Sequence, residues 1–216
     1  RALEMLAPEI AMAVEADVKD EESLKAAVDE CLSRHSRIDI LHNNVGISLA
    51  GGDAEITDIT VEAFDHCVAV NLRGMVLACK HVLPSMREKG KGVITNISSL
   101  AAWSAYPLVA YKTTKSAVIA LTEQLAIQNA KFGIRANVIL PGLMDTPMAV
   151  DTRVRVLNKS REEIAADRGA KVPLGRKMGT GWDVAHAALF LASDDAGFIT
   201  GAALPVDGGT SVSLGI

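Results

Sequence analysis

The chain has 216 residues, of which 49% are hydrophobic and 22% charged, and its formal net charge is -4. This length and composition are typical of one globular domain with a buried core, here spanning residues 1–216. No run of lysine or arginine provides the positive patch that nucleic acid or an anionic membrane requires, so we expect a small-molecule partner.

Targeting and metal-binding signals are absent from the sequence. No apolar stretch approaches the roughly 18 to 20 residues needed to cross a bilayer, and residues 1–10 lack the basic start and apolar middle of a signal peptide. The three cysteines form no CxxC pair and the five histidines have no metal-ligand spacing. We therefore expect a cytoplasmic protein with neither a disulfide framework nor a metal site.

Short apolar runs alternate along the chain with longer helical patterns. The predicted strands cover residues 10–16, 38–43, 92–98, 134–140 and 203–207. The predicted helices cover residues 21–33, 63–86, 110–132 and 182–192. This alternation predicts right-handed βαβ units in a doubly wound, Rossmann-like, mostly parallel sheet with helices on both faces, which is a three-layer α/β/α domain.

Two parts of the chain depart from this alternation. Residues 145–178 are polar and mixed, and they predict a substrate-binding loop or lid segment over the site. A nucleotide-binding sheet normally opens with a strand, a glycine-rich turn and a helix, but no such turn occurs before Gly46. If the predicted fold is right, a βαβ opening of about 30 or more residues precedes Arg1.

Tyr111 and Lys115 form the first chemical motif, because a separation of four residues places both side chains on one face of a helix. At about 5 Å and an effective dielectric near 20, the ammonium would stabilise the phenolate by about 3 kcal/mol and lower the tyrosine pKa by about two units. Such a tyrosine can exchange a proton with an alcohol or carbonyl oxygen. The pair alone arises by chance about one time in ten.

Ser98 and Ser99 strengthen the interpretation of Tyr111 and Lys115 as a catalytic pair. They stand at the carboxyl end of the predicted strand 92–98, shortly before Tyr111 in the chain. In open α/β sheets, ligands bind at the carboxyl ends of the strands. A serine hydroxyl at that position can donate to a substrate oxygen and hold it against the tyrosine.

Taken together, these motifs resemble those of the short-chain dehydrogenase/reductases. The matches in chain order are Asp17-Val18, NNVG at 43–46, Asn71 in NLRG, NISS at 96–99, YKTTK at 111–115, PGLMDTPM at 141–148, and ITG with VDGG at 199–209. The resemblance implies an oxidoreductase that uses NAD or NADP to interconvert a secondary alcohol and a ketone, or a 3-hydroxy and a 3-oxo compound. It also implies a homotetramer or homodimer, with the two long helices and the last strand as interfaces.

The resemblance also implies the catalytic roles. Tyr111 would be the general acid and base, and Lys115 would bind the nicotinamide ribose. Asn71, a poor helix former, would release its carbonyl to hold a water and complete a proton relay through Lys115. Spacing before Tyr111 points to Ser98 as the substrate-polarising residue, whereas spacing after Asn71 points to Ser99. We choose Ser99, because strand register is the more rigid measure.

The remaining contacts are implied in the same way. Asp17 would contact the adenine amino group and could also cap the next helix, while Asn43 and Gly46 would line the adenosine-ribose channel. The full set of cofactor residues is Asp17, Val18, Asn43, Gly46, Tyr111, Lys115, Pro141, Gly142, Met144 and Thr146. The residues expected to line the substrate pocket are Ser99, Trp103, Tyr106, Leu143 and Met148, for which plain packing is an equal alternative.

Two other functions remain open at this point. One is a non-catalytic or truncated relative that keeps the fold without binding a dinucleotide. The other is an epimerase or dehydratase of the extended branch, which the NNVG and VDGG motifs disfavour. The residue that separates NAD from NADP would lie at the end of the second strand, before Arg1, and substrate identity would depend on residues 147–178.

Overall fold

The computed structural model describes residues 11–213, without the side chains of residues 156 and 157. Its strands are β1 (Ile40–Asn43), β2 (Gly92–Ile97), β3 (Ile134–Pro141), β4 (Met144–Asp145), β5 (Gly179–Thr180) and β6 (Ala203–Val206). The main sheet has the order β1-β2-β3-β6, and every pairing in it is parallel. This arrangement confirms the predicted parallel α/β sheet.

Helices cover both faces of the sheet. They are α1 (Glu21–His35), α2 (Val61–Val68), α3 (Gly74–Lys89), α4 (Val109–Asn129), α5 (Asp151–Leu157), α6 (Arg161–Gly169) and α7 (Gly181–Ala192). Alternate residues of β3 point to opposite faces: Ala136 lies in a core cluster with residues of α3 and α4, whereas Ile139 packs against Leu191 of α7. The sheet is therefore the middle of three layers.

The predicted strand at 10–16 is wrong over its described part. Residues 11–16 form no strand and residues 13–16 are exposed, while residue 10 lies outside the described residues. A strand persists only where a neighbouring strand completes its backbone hydrogen bonds. Within residues 11–213, no strand pairs with residues 11–16, and β1 has β2 as its single partner, so this apolar run lacks the backbone hydrogen bonds of a strand.

The long predicted helix at 63–86 is interrupted by one π-helical turn, Ala69–Arg73, between α2 and α3. In this turn the Gly74 N–H donates to the Ala69 carbonyl, five residues back instead of four. Single π turns of this kind occur frequently at functional sites. Asn71 lies in the middle of the turn, in agreement with the expectation that the helix is locally irregular there.

The same stretch, Val61–Lys89, is long and apolar enough to cross a membrane by length and composition alone. The sequence expectation that no stretch approaches this length is therefore wrong. More than half of its most apolar window is buried within the fold. Val82 and Met86, for example, pack in the core cluster below the sheet, as in the core helix of a globular domain.

The predicted lid segment at 145–178 contains two helices, α5 and α6, with turns before, between and after them. Strands β4 and β5 pair at its two ends, with Met144 opposite Gly179. A capping box begins α6, in which Ser160 accepts from the Glu163 N–H and the Glu163 side chain accepts from the Ser160 N–H. The Ser-x-x-Glu pattern at 160–163 is the sequence signal for this helix.

Candidate active site

A cavity of about 1070 Å³ opens beside the carboxyl ends of β2 and β3. Its wall includes Ser98 and Ser99 after β2, and Pro141 and Gly142 at the end of β3. This is the position at which open α/β sheets bind ligands. The cavity is therefore the candidate active site.

Tyr111 lies in the first turn of α4 and lines the cavity together with Ser99, whose hydroxyl is near enough to act on the pKa of the Tyr111 hydroxyl. Ser99 is held in place because its Oγ accepts from the Ala101 N–H at 3.1 Å and starts a short 3₁₀ turn. Burial raises the pKa of Tyr111 above its ordinary value, while the Ser99 hydroxyl and the charge of Arg153 lower it by less. The structure thus brings Ser99 and Tyr111 together at the cavity wall.

Lys115 lies one helical turn beyond Tyr111, with its Nζ 5.7 Å from the centre of the tyrosine ring. The Nζ donates to the Ile97 carbonyl at 2.8 Å, and burial lowers the Lys115 pKa to about 8. The expectation that Lys115 lowers the Tyr111 pKa is therefore wrong for this structure. Desolvation is the largest influence on the pKa of each group and favours the neutral form of both.

Ser98, the other candidate serine, is buried and serves the framework. Its Oγ donates to the backbone carbonyl of Lys115 at 2.6 Å, which ties the end of β2 to α4. Successive residues of an extended chain point in opposite directions. Ser98 therefore turns to the helix backbone while Ser99 turns to Tyr111.

Asn71 is fully buried behind Lys115 and holds the loop after β1. Its Nδ2 donates to the Ile47 carbonyl at 2.9 Å and to Thr114 Oγ1 at 3.2 Å, and its Oδ1 accepts from the Ile47 N–H at 2.7 Å. A Cβ on Gly46 would lie 3.2 Å from Lys115 Nζ and 3.4 Å from Asn71 Oδ1. Gly46 thus allows the NNVG loop to approach both side chains closely.

The predicted cofactor residues divide between two cavities and the surface. Those that line the main cavity are Gly46, Tyr111, Lys115, Pro141, Gly142, Met144 and Thr146. Val18 and Asn43 line a smaller cavity of about 330 Å³ beside α1 and α3. The Asn43 side chain is already committed there, because its Nδ2 donates to Asn96 Oδ1 on the neighbouring strand at 2.9 Å.

Asp17 lines neither cavity. It is exposed, and its carboxylate accepts from the Lys19 N–H at 2.9 Å. The suggestion that Asp17 caps the next helix is wrong, since the N-cap of α1 is Asp20, which accepts from the Glu22 N–H at 3.0 Å. Asp17 contacts the first turn through its backbone instead, because its N–H donates to Ser23 Oγ at 2.9 Å.

The main cavity offers unused polar groups to a nicotinamide cofactor. Within the described part of the chain, Lys115 Nζ makes a single hydrogen bond, although an ammonium has three donors. Ser48 Oγ lines the same cavity, is buried and has no hydrogen-bond partner among residues 11–213. Buried polar groups normally have partners, so both fit a polar ligand in this place.

The predicted substrate residues are mostly found at the cavity. Tyr106, Leu143 and Met148 line it together with Ser99, and the Tyr106 ring lies 5.5 Å from the Tyr111 ring. Trp103 is the exception, because it ends the 3₁₀ turn after Ser99 with half of its surface open to solvent and does not line the cavity. The prediction that Trp103 contacts substrate is therefore wrong for this structure.

Asp53 is a site residue that the sequence analysis does not find. Its carboxylate accepts from the Ala110 N–H at 2.9 Å and from the Tyr111 N–H at 2.7 Å, and it is buried. The residue before α4 is Leu108, which cannot cap the helix with its side chain. An uncapped start of this kind is the one sequence signal that a distant residue must satisfy these amides.

The comparisons with known proteins agree with the fold and the site. The family model described as enoyl-(acyl carrier protein) reductase matches residues 1–211. The 2-(R)-hydroxypropyl-CoM dehydrogenase of Xanthobacter autotrophicus is 42% identical over 90% of this chain and 76% of its own length. The crystal structure of levodione reductase has a TM-score of 0.86 at 33% identity and covers 92% of this chain and 76% of that chain. The structure of ElxO with NADP bound has a TM-score of 0.81 at 33% identity, and the match covers 91% of this chain and 77% of that chain.

Two of these relatives are named as a dehydrogenase and a reductase, and the third, ElxO, has NADP bound. Together with the family match, they identify the chain as an NAD(P)-dependent oxidoreductase whose cofactor is NAD or NADP. The chain belongs to the short-chain dehydrogenase/reductase family.

Proposed function

We propose that this oxidoreductase interconverts a secondary alcohol and a ketone, or a 3-hydroxy and a 3-oxo compound, with Tyr111 as the general acid and base. The position of the Ser99 and Tyr111 hydroxyls on one wall of the cavity, near enough for Ser99 to act on the Tyr111 pKa, is the observation that carries the proposal. Two hydroxyls that meet at a cavity wall can both reach one substrate oxygen, so that one polarises it while the other exchanges a proton with it.

In this mechanism each side chain has a separate task. NAD or NADP supplies or accepts the hydride when it is bound. Ser99 orients the substrate oxygen, and Tyr111 gives it a proton in reduction and takes one in oxidation. Because burial raises its pKa, Tyr111 is protonated at neutral pH and ready to act as the acid. Lys115 would bind the ribose and, with Asn71 behind it, return protons to Tyr111.

The residue at the centre of the test is Tyr111. Replacing it by Phe should lower turnover by about a hundredfold to ten-thousandfold, the usual contribution of a general acid, and leave NAD(P)H affinity nearly unchanged. The measurement is steady-state reduction of short ketones, together with titration of NADH and NADPH followed by tryptophan fluorescence. Tyr106→Phe is the matched control and should reduce turnover much less, because no lysine stands one turn beyond Tyr106.

Two outcomes would contradict the proposal. Unchanged turnover by Tyr111→Phe would exclude the assigned role of the tyrosine. Failure of the unmodified protein to bind either NADH or NADPH would favour the alternative of a non-catalytic relative that keeps only the fold.

The segment of residues 145–178 is proposed as the substrate-binding lid. It contributes Met148 and Arg153 from α5 and the turn before it, and Arg168 from α6, to the cavity wall.

The location proposed for the protein is the cytoplasm. All three cysteines are free, and burial raises the pKa of Cys67 to about 11 and that of Cys79 to about 12, as is typical of inert core thiols.

A further inference from the structure

The wall of the active-site cavity that α5 and α6 provide is cationic. Its basic side chains are Arg153, Arg155, Arg168 and Lys171. Among the described residues that line the cavity, the only carboxylate is Asp151, and it is paired with Arg161 Nε at 3.3 Å. Positive charge on this wall is therefore not balanced by acidic residues of the wall itself.

Arg168 is the basic side chain of this wall that has an unpaired buried donor among the described residues. It is half-buried, and its Nε is fully buried with no hydrogen-bond partner within residues 11–213. Burial lowers its pKa, and the nearby charge of Arg153 lowers it further. A buried cation with an unused donor costs free energy unless a counter-charge reaches it, so the fold holds Arg168 there at a cost.

Arg153 lines the same cavity as Arg168 and Tyr111, and its charge acts on the pKa of both. Its guanidinium is anchored by donation from Nη1 to the Ala149 carbonyl at 2.7 Å. Its charge is near enough to Tyr111 to lower the tyrosine pKa, and Tyr106 raises the pKa of Arg168. The two guanidinium groups therefore share one region of the cavity with the two tyrosines.

We propose that Arg153 and Arg168 form an anion-binding subsite, and that the substrate is a small alcohol or ketone carrying a carboxylate, sulfonate or phosphate group. The proposal rests on the alcohol–ketone function given above and adds the class of substrate. A guanidinium presents donors in a fixed fork that matches these anions. An anion here would satisfy the unused Arg168 donor and relieve the repulsion between the two arginines.

The first experiment compares matched ketones in the intact protein with its cofactor. Short methyl ketones ending in a carboxylate, a sulfonate or a phosphate are each compared with their neutral amide or ester, over a series of chain lengths. For the best length, kcat/KM should favour the anion by about tenfold to a hundredfold, the range expected for charge-assisted bonds. The three anions distinguish which group the subsite prefers.

The second experiment removes the charges. Arg153→Gln and Arg168→Gln should each reduce the anion-to-neutral ratio of kcat/KM by about tenfold or more. Lys159→Gln is the matched control, because Lys159 lies on the same segment outside the cavity and should leave that ratio unchanged. Arg168→Lys keeps the positive charge but lacks the forked donors of a guanidinium, so it should give an intermediate ratio. This variant keeps the test decisive if Arg168→Gln fails to fold.

A third measurement does not depend on turnover. Methanesulfonate and acetate should bind to the cofactor-loaded protein and raise its melting temperature, and Arg168→Gln should abolish this shift. Equal kcat/KM for anionic and neutral ketones would overturn the subsite. The subsite would also be overturned if the arginine variants raised the KM for NADH or NADPH by the same factor as they reduced the anion preference. The arginines would then bind the cofactor and not the substrate. Lack of turnover of every ketone, with anion binding intact, would contradict the proposed reaction instead.

Discussion

At the residue scale, Ser98 and Ser99 are neighbours whose hydroxyls go to different partners. Ser98 Oγ donates to the Lys115 carbonyl, whereas Ser99 meets Tyr111. Sequence spacing alone leaves both serines open, because it carries no information about which way each side chain points. The extended backbone at the end of β2 decides between them.

This pair gives the first prediction. Ser99→Ala should lower kcat by about a hundredfold, as loss of one oriented donor does, with little change in the free energy of unfolding. Ser98→Ala should instead lower the free energy of unfolding by about 1 kcal/mol, since it removes one buried hydrogen bond between the end of β2 and α4. Steady-state kinetics and urea unfolding of both variants check the assignment, and the reverse pattern would exchange the two roles.

Lys115 predicts a pH dependence of stability. Its pKa is about 8 in the folded protein and 10.5 in a free lysine, so between these values the unfolded chain binds a proton that the folded chain has lost. The free energy of unfolding should therefore rise with pH across this window, by at most about 3 kcal/mol. Below pH 8 both states are protonated and the cost of burying the charge is fully present.

Lys115→Met is the comparison, because it keeps the apolar stem and removes the titration. Urea unfolding of both proteins at pH 8 and pH 10.5 should show the unmodified protein gaining stability relative to the variant. A constant difference between the two proteins would show that Lys115 does not titrate in this window.

At the scale of elements, α4 begins without a capping residue of its own and is completed by Asp53 from the loop before α2. The helix carries Tyr111 and Lys115, so the backbone of its first turn fixes where the reactive hydroxyl lies. The two bonds from Asp53 also place a carboxylate at the positive end of the helix. Asp53 is therefore a positioning residue for Tyr111.

Asp53→Ala should lower the free energy of unfolding by about 2 kcal/mol and also reduce kcat, because Tyr111 loses its backbone anchor. Asp20→Ala is the control, since it removes the N-cap of α1, which carries none of the proposed catalytic residues. It should reduce stability by about 1 kcal/mol with kcat retained. If Asp53→Ala lost stability with full kcat, Asp53 would be structural only.

At the scale of the whole molecule, large apolar side chains are exposed along the last part of the described chain. They are Trp182, Leu189, Phe190, Phe198 and Val212. Exposed apolar surface on this scale marks interaction sites in folded proteins. The family resemblance implies a homodimer or homotetramer that uses the last strand as an interface, and these residues flank that strand.

We expect the protein to form a homo-oligomer in solution. Light scattering after gel filtration should give a mass that is a multiple of the chain mass, and Phe198→Asp should shift it towards the monomer by burying a charge in an apolar interface. Ile56→Asp is the control, because Ile56 is also apolar and exposed but lies before α2. A monomeric unmodified protein would contradict this expectation.

Local patterns in the sequence were enough to predict the parallel α/β architecture and the bounds of most elements to within a few residues. The grouping of the Tyr111–Lys115 pair with Asn71 and Ser99 came from the resemblance to the short-chain dehydrogenase/reductases. Helical periodicity, strand length and a four-residue spacing depend only on neighbours in the chain. The cofactor and substrate residues were likewise predicted mainly from that resemblance, and most of them line one of the two cavities.

The folded structure alone decided the rest. Residues 11–16 lack a strand, and Asp53 caps α4 from 57 positions away. Burial raises the Tyr111 pKa, and Arg153 of α5 and Arg168 of α6 line the same cavity. Each of these depends on long-range pairing or on the loss of water around a side chain. No local pattern records such effects, because they are properties of distant residues brought together and not of the residue itself.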